Sequence, residues 1–196
     1  MNTPLAKNAI AAFGLNSYEE LDTSCVFAKA HGKLIDGIVE LANCYPHEHS
    51  VLGTNRAEQY VRGLAERSDF DQTAGWYCLC NGLQLRAAAH LSIYGRGDES
   101  GHTLWKIRHP LSNDDSVIYG SVLLQLLSAL ALRIRSGTAK LVLFLSELEG
   151  LQQRQALQAG FECEGQLRDY YRLGEVCLVY GKTMAPVGNK THAHAC

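Results

Sequence analysis

The chain has 196 residues, of which 46% are apolar and 19% charged, with a formal net charge of −2. That length carries one domain with a sizeable core, and that composition belongs to a folded globular chain rather than a disordered one. The near-neutral charge and the lack of a basic patch argue against a nucleic-acid partner.

No membrane is expected either, because the longest apolar run, residues 117–134, is interrupted by Tyr119, Gly120, Ser121, Gln125, Ser128 and Arg133. The opening residues Met1-Asn2-Thr3-Pro4-Leu5-Ala6-Lys7 lack the basic-then-apolar layout of a signal peptide, so a cytoplasmic location is expected. The seven cysteines are odd in number. Cys25, Cys44, Cys163 and Cys177 stand singly in apolar surroundings, a pattern of reduced core thiols. Cys78 and Cys80 fall on one face of a strand-like run, as two small core side chains or as a metal or redox pair, and no second pair at zinc spacing follows.

In chain order, residues 1–21 read as a leader with a short helix near residues 6–13. A strand over residues 24–28 comes next, then a helix over 33–44 whose apolar stripe is Leu34, Ile35, Ile38, Val39, Leu41 and Ala42. A loop with His47, Glu48 and His49 leads to a second helix, capped by Thr54 or Asn55 and running to residue 68. Residues 76–80 and 83–94 are strands joined at Asn81-Gly82, a hairpin signal. Another strand, 102–109, is followed by the longest helix, 116–136, with Asp115 or Ser116 as its cap. Strand 140–146, helix 148–159 and strands 162–172 and 176–182 complete the domain, and residues 184–196 form a loose tail. Trp76, Trp105 and His90 lie in strands and read as core residues. His192, His194 and Cys196 fall in the tail, and no metal is expected.

The last third is the most specific part of the chain. Strand residues Leu141-Val142-Leu143-Phe144-Leu145-Ser146 enter a short helix that stops at Gly160, a residue suited to a left-handed cap. A second strand leaves at once through Gly160-Phe161-Glu162-Cys163-Glu164-Gly165-Gln166-Leu167-Arg168-Asp169-Tyr170-Tyr171. This segment resembles the closing part of the GNAT superfamily of N-acyltransferases, and the resemblance covers about residues 22–183. It implies a single α/β domain over 22–183, with a mixed central sheet of about seven strands flanked by helices in the order β-α-α-β-β-β-α-β-α-β-β. Residues 141–145 are expected at the sheet's centre, between the strand ending at His109 and the one containing residues 164–170.

The resemblance also implies a reaction. The family moves an acyl group, usually acetyl, from acyl-coenzyme A to a primary amine of a small molecule or peptide, without a metal. Its diphosphate site is the turn into the long helix, where orphan amides and the helix dipole favour an anion. Here that turn is Ile107-Arg108-His109-Pro110, then Tyr119-Gly120-Ser121-Val122. The implied donor-site residues are therefore Ile107, His109, Tyr119, Gly120, Ser121 and Val122.

The chain departs from the family pattern in that turn. Ile118 replaces the first glycine of the family's loop, Asp115 replaces its basic or amide residue, and the loop is about two residues longer. Ala156 stands where many members have a proton-donating Tyr, and Glu149 where many have Asn. Glu149, as a base acting through water, and Tyr171 are the catalytic candidates, while His47, His49 and Tyr170 would border the acceptor. The departures leave two further readings open: a binding module of the same fold, or an acyltransferase fed by an acyl carrier protein. The resemblance also leaves room for a homodimer.

Overall fold

The computed structural model describes residues 25–45, 52–70, 74–97, 101–113, 117–134 and 137–185. The elements are β1 (Cys25–Lys29), α1 (Lys33–Asn43), α2 (Ala57–Phe70), β2 (Gly75–Asn81), β3 (Gln84–Gly97), β4 (His102–Ser112), α3 (Val117–Ile134), β5 (Thr138–Ser146), α4 (Gly150–Gln158), β6 (Glu162–Arg168) and β7 (Val176–Met184). Their order is the expected one. The helix expected over 6–13, the caps Asp115 and Ser116, and the tail residues His192, His194 and Cys196 lie outside the described residues.

The seven strands form one sheet in the order β1-β2-β3-β4-β5-β7-β6. The β4–β5 pair is parallel and every other pair antiparallel. Helices α3 and α4 cover one face, where Val122, Leu123, Leu124, Leu127 and Ala156 pack on Trp105, Ile107, Leu141, Leu143 and Leu145. Helices α1 and α2 cover the other face over the first half of the sheet, where Ile38, Val39 and Val61 pack on Trp76, Cys78, Ala88 and Leu111. Alternate residues of each strand serve the two cores, as the period of two requires.

Four expectations need correction. Strand β5 is central, with Leu141, Leu143 and Leu145 buried, and β4 is one neighbour, but the other is β7 rather than β6. The hairpin folds back so that the more apolar β7 lies inside. Every residue of β6, Glu-Cys-Glu-Gly-Gln-Leu-Arg, is exposed at the edge, and a charged edge strand resists pairing with another chain. Strand β4 does not stop at His109 but runs on to Ser112. Helix α3 has the length and apolar composition of a membrane span, since Arg133 is its one charged residue, and half of it is buried inside this domain. Finally, Cys44 and Cys163 are exposed, at the end of α1 and on the edge strand, whereas Cys25 and Cys177 are buried.

Candidate active site

The site begins with a break in the sheet. Strands β4 and β5 pair from His102↔Thr138 to Ile107↔Leu143 and no further. Beyond that point β4 stays with β3, through Ala88↔Leu111 and Ala87↔Ser112, and β5 stays with β7, through Ser146↔Cys177. The two central strands therefore part, and the edges of residues 108–112 and 144–146 face a wedge.

A bulge sets the angle of one arm. Between the pairs His90↔Arg108 and Ala88↔Leu111, β4 carries two residues, His109 and Pro110, against Ala89 alone. His109 takes φ 51°, a left-handed conformation uncommon outside glycine. Pro110 suits the place because it has no N–H to offer a ladder. The extra residue resets the alternation, so Trp105 and Ile107 face α3 while Leu111 faces α1 and α2. His109 turns toward α2, its Nε2 lying 3.0 Å from the Tyr60 hydroxyl, with the Tyr60 ring edge-on at 5.3 Å.

On the α3 side, four of the donor-site candidates, Tyr119 to Val122, follow one another at the start of the helix. Residues 117–120 form the first turn of α3, the end of a helix that carries the positive pole of its dipole. Their side chains are engaged elsewhere. The Arg86 guanidinium lies 4.5 Å over the Tyr119 ring, Ser121 donates to the Ile118 carbonyl at 2.9 Å, and Val122 and Ile107 are core residues. A Cβ built on Gly120 would lie 2.1 Å from Cδ of Gln155. This glycine thus lets α3 approach α4. Gln155 in turn donates to the Ser112 hydroxyl at 3.2 Å, tying the end of β4 to both helices.

The mouth of the wedge holds Glu149. Residues Ser146 and Glu149 form a Ser-x-x-Glu box between β5 and α4: the Glu149 carboxylate accepts the Ser146 N–H at 2.5 Å, and the Ser146 hydroxyl accepts the Leu148 N–H at 3.2 Å. The second Glu149 oxygen accepts the hydroxyl of Tyr45, which arrives from the end of α1 and lies 104 positions away in sequence. Both side chains are buried, with Glu149 4% and Tyr45 8% exposed. Burial, reinforced by the Glu149 charge, pushes the Tyr45 hydroxyl far above the usual tyrosine range, so it remains a donor. Glu175 accepts the Ser146 hydroxyl from the other side.

The β6–β7 connection closes over the opposite face. Tyr171 donates to the Phe144 carbonyl at 2.9 Å, and burial keeps its hydroxyl protonated well beyond the ordinary range. Tyr170 stacks on Phe144 at 5.5 Å. Glu149, Tyr170 and Tyr171 thus gather around the end of β5, while His109 sits on the other arm. His47 and His49 lie outside the described residues. Sequence reasoning missed Tyr45, Lys106, Phe144 and Glu175. The signal for the Glu149 box was legible as Ser146-Glu147-Leu148-Glu149 after a strand; Tyr45 carried no local signal, because its partner is remote in sequence.

No family model matches the chain, and no curated protein does either. Solved structures do match. The ribosomal-protein-alanine N-acetyltransferase of Brucella melitensis is 15% identical over 81% of this chain and 99% of its own, with a TM-score of 0.60. A spermidine N-acetyltransferase of Vibrio cholerae is 10% identical over 83% and 95%, with a TM-score of 0.60. Naa50 of Arabidopsis thaliana, solved with a bisubstrate analogue of coenzyme A, is 15% identical over 81% and 98%, with a TM-score of 0.57. Split sheet, element order and these likenesses agree: the chain has the fold of the GNAT N-acyltransferases.

Proposed function

We propose that the protein transfers a short acyl group from acyl-coenzyme A to a primary amine of a small molecule or peptide. The observation that carries this reading is the parting of β4 from β5 beside the bulge at His109. A wedge with backbone edges on both sides suits an extended amide-bearing arm, which can be bound as an added strand by residues 108–112 and 144–146. A strand N–H there would stabilise the negative charge that develops on the thioester oxygen as the amine adds. The first turn of α3 offers N–H groups and a positive dipole end for the donor's diphosphate.

The amine would enter from the opposite face, past Tyr170 and Tyr171. It must lose its ammonium proton before it attacks, and the Tyr45–Glu149 pair at the mouth of the wedge is the group suited to accept it, directly or through water. Ala156 supplies no acid for the leaving thiolate, and a thiol of pKa near 8.5 needs little help.

The test has a binding arm and a turnover arm. Calorimetry with acetyl-coenzyme A and desulfo-coenzyme A should show saturable binding of both. Thiol release with a panel of amines should rise with pH as the amine deprotonates. A folded protein that binds neither ligand and turns over none of the amines would defeat the reading.

A further inference from the structure

The sheet face opposite α3 and α4 carries charge that the reaction so far leaves without a role. Register places Ser92 opposite Lys106 and His90 opposite Arg108, so these four side chains share the face turned away from Trp105 and Ile107. The Lys106 ammonium lies 4.2 Å over the Phe144 ring and 5.2 Å over Tyr94. Tyr170 continues the aromatic wall, stacked on Phe144. Tyr94 and Tyr170 are 56% and 46% exposed, so the wall opens to solvent. His90 adds no charge, because burial, with Arg108 and His109 nearby, lowers its pKa to about 3.

Among the described residues neither cation has an acid: the carboxylates of Asp36, Glu58 and Glu164 are taken by Arg62 and Lys140, and none pairs with Lys106 or Arg108. The Arg108 Nε and the Ser92 hydroxyl are buried without a hydrogen-bond partner. Buried donors in that state carry an unrecovered desolvation cost. Two like charges side by side add to it, and burial together with Arg108 already lowers the Lys106 ammonium below its usual range. An anion seated between them would relieve all three costs at once. It would not be the donor's diphosphate, since the α3 turn lies on the other face.

We propose that Lys106, Arg108 and Ser92 bind an anionic group of the acceptor, and that the acceptor is a primary amine carrying a carboxylate on an apolar body that rests against Tyr94, Phe144 and Tyr170. This rests on the acyltransferase reading above. The carboxylate can be the α-carboxylate of a free amino acid or the side chain of an acidic first residue in a peptide, and the experiment separates the two.

The first arm needs no turnover. Calorimetry on the whole protein compares N-acetyl-phenylalanine with N-acetyl-phenethylamine, and N-acetyl-Glu-Phe-amide with N-acetyl-Gln-Phe-amide. In at least one pair the carboxylate member should bind about tenfold tighter or more. Arg108→Gln and Lys106→Met should each weaken it roughly 10- to 100-fold, as loss of a charged hydrogen bond does, and leave the neutral member unchanged. Melting curves establish that the variants fold, and Ser92→Ala, expected to weaken binding severalfold, serves if Arg108→Gln does not.

The second arm is turnover of the four parent amines with acetyl-coenzyme A. A lead for phenylalanine over phenethylamine names the free amino acid; a lead for Glu-Phe-amide over Gln-Phe-amide names the peptide. Equal affinities within both pairs, or variants that bind the carboxylates as the native protein does, overturn the proposal even if neutral amines are acetylated. Selective carboxylate binding in a protein that binds neither acetyl-coenzyme A nor desulfo-coenzyme A and turns over no amine upholds the anion site and defeats the acyltransferase reading.

Discussion

Replacing Gly120 by alanine sets two effects of opposite sign against each other. Alanine is favoured over glycine inside a helix by about 0.9 kcal/mol. An added Cβ, however, would stand 2.1 Å from Cδ and 2.3 Å from Oε1 of Gln155, a buried side chain that also donates to Ser112 at 3.2 Å. Gln155 cannot retreat without giving up that bond, and forcing an extra methyl into a close-packed site costs roughly 1–3 kcal/mol. The balance is a net loss of about 1 kcal/mol, or a Tm lower by about 3 °C for a chain of this size. Removing the obstacle should reverse the sign: in a Gln155→Ala background the same substitution should gain about 1 kcal/mol. Urea unfolding of the four proteins measures the coupling, expected at about 2 kcal/mol. If Gly120→Ala stabilises both backgrounds equally, the glycine is not there to admit Gln155, and backbone access to a phosphate becomes the better reason for it. The same geometry governs Gly120→Asp, whose effect on donor affinity would mix repulsion of phosphate with displacement of Gln155.

Tyr45→Phe strips a hydroxyl from a buried carboxylate and should cost about 1.5–3 kcal/mol by chemical denaturation. Glu149→Gln keeps an acceptor for the Ser146 N–H and should cost less. Cys80, whose thiol is lowered to about 7 through its neighbour Cys78, should be alkylated by iodoacetamide at a rate that climbs as pH passes about 7, while Cys78, pushed up through Cys80 and by burial, should label slowly; mass spectrometry of the modified peptide decides. His90 is held neutral when folded, with a pKa of about 3 against an ordinary value of 6.5. Stability should therefore be intact above pH 6.5 and fall as the pH drops from 6.5 toward 3, because the unfolded chain takes up the proton first. A His90→Leu variant that shows the same loss over that window would assign it to another group.

Element order was legible because each segment carried its own signal: an apolar strand-length run before Asn81-Gly82 in residues 76–80, a helical stripe in 33–44, a full apolar run in 141–145. What was not legible depends on neighbours distant in the chain. Whether β6 or β7 lies beside β5 is a matter of which strand can tolerate burial on two faces, and local strand signals treat the two alike. The length of β4 was hidden by His109-Pro110, which reads as a strand end and is a bulge that bends the strand on. Gly120 matched a phosphate-loop glycine by position, yet its contact is Gln155, contributed by α4 some thirty residues later. Ala156 looked like a vacancy for a tyrosine, but it is wholly buried against the α3 core, so a ring placed there would have to displace that packing.

The one parallel pairing also divides the chain by folding history. Strands β2 to β4 follow one another as a meander, and β6 and β7 form a hairpin of their own, so each of these parts closes short loops. The β4–β5 ladder, six residue pairs long, can form only after the chain has crossed the sheet through α3. It is one of the molecule's non-local seams, beside β1–β2 and β5–β7, and beyond Ile107 and Leu143 it is never sewn. Native-state hydrogen exchange should find the amides on either side of that unsewn stretch opening in sub-global events, well before the meander lets go. A fold that leaves a central seam open has, in that gap, room for a strand that belongs to another molecule.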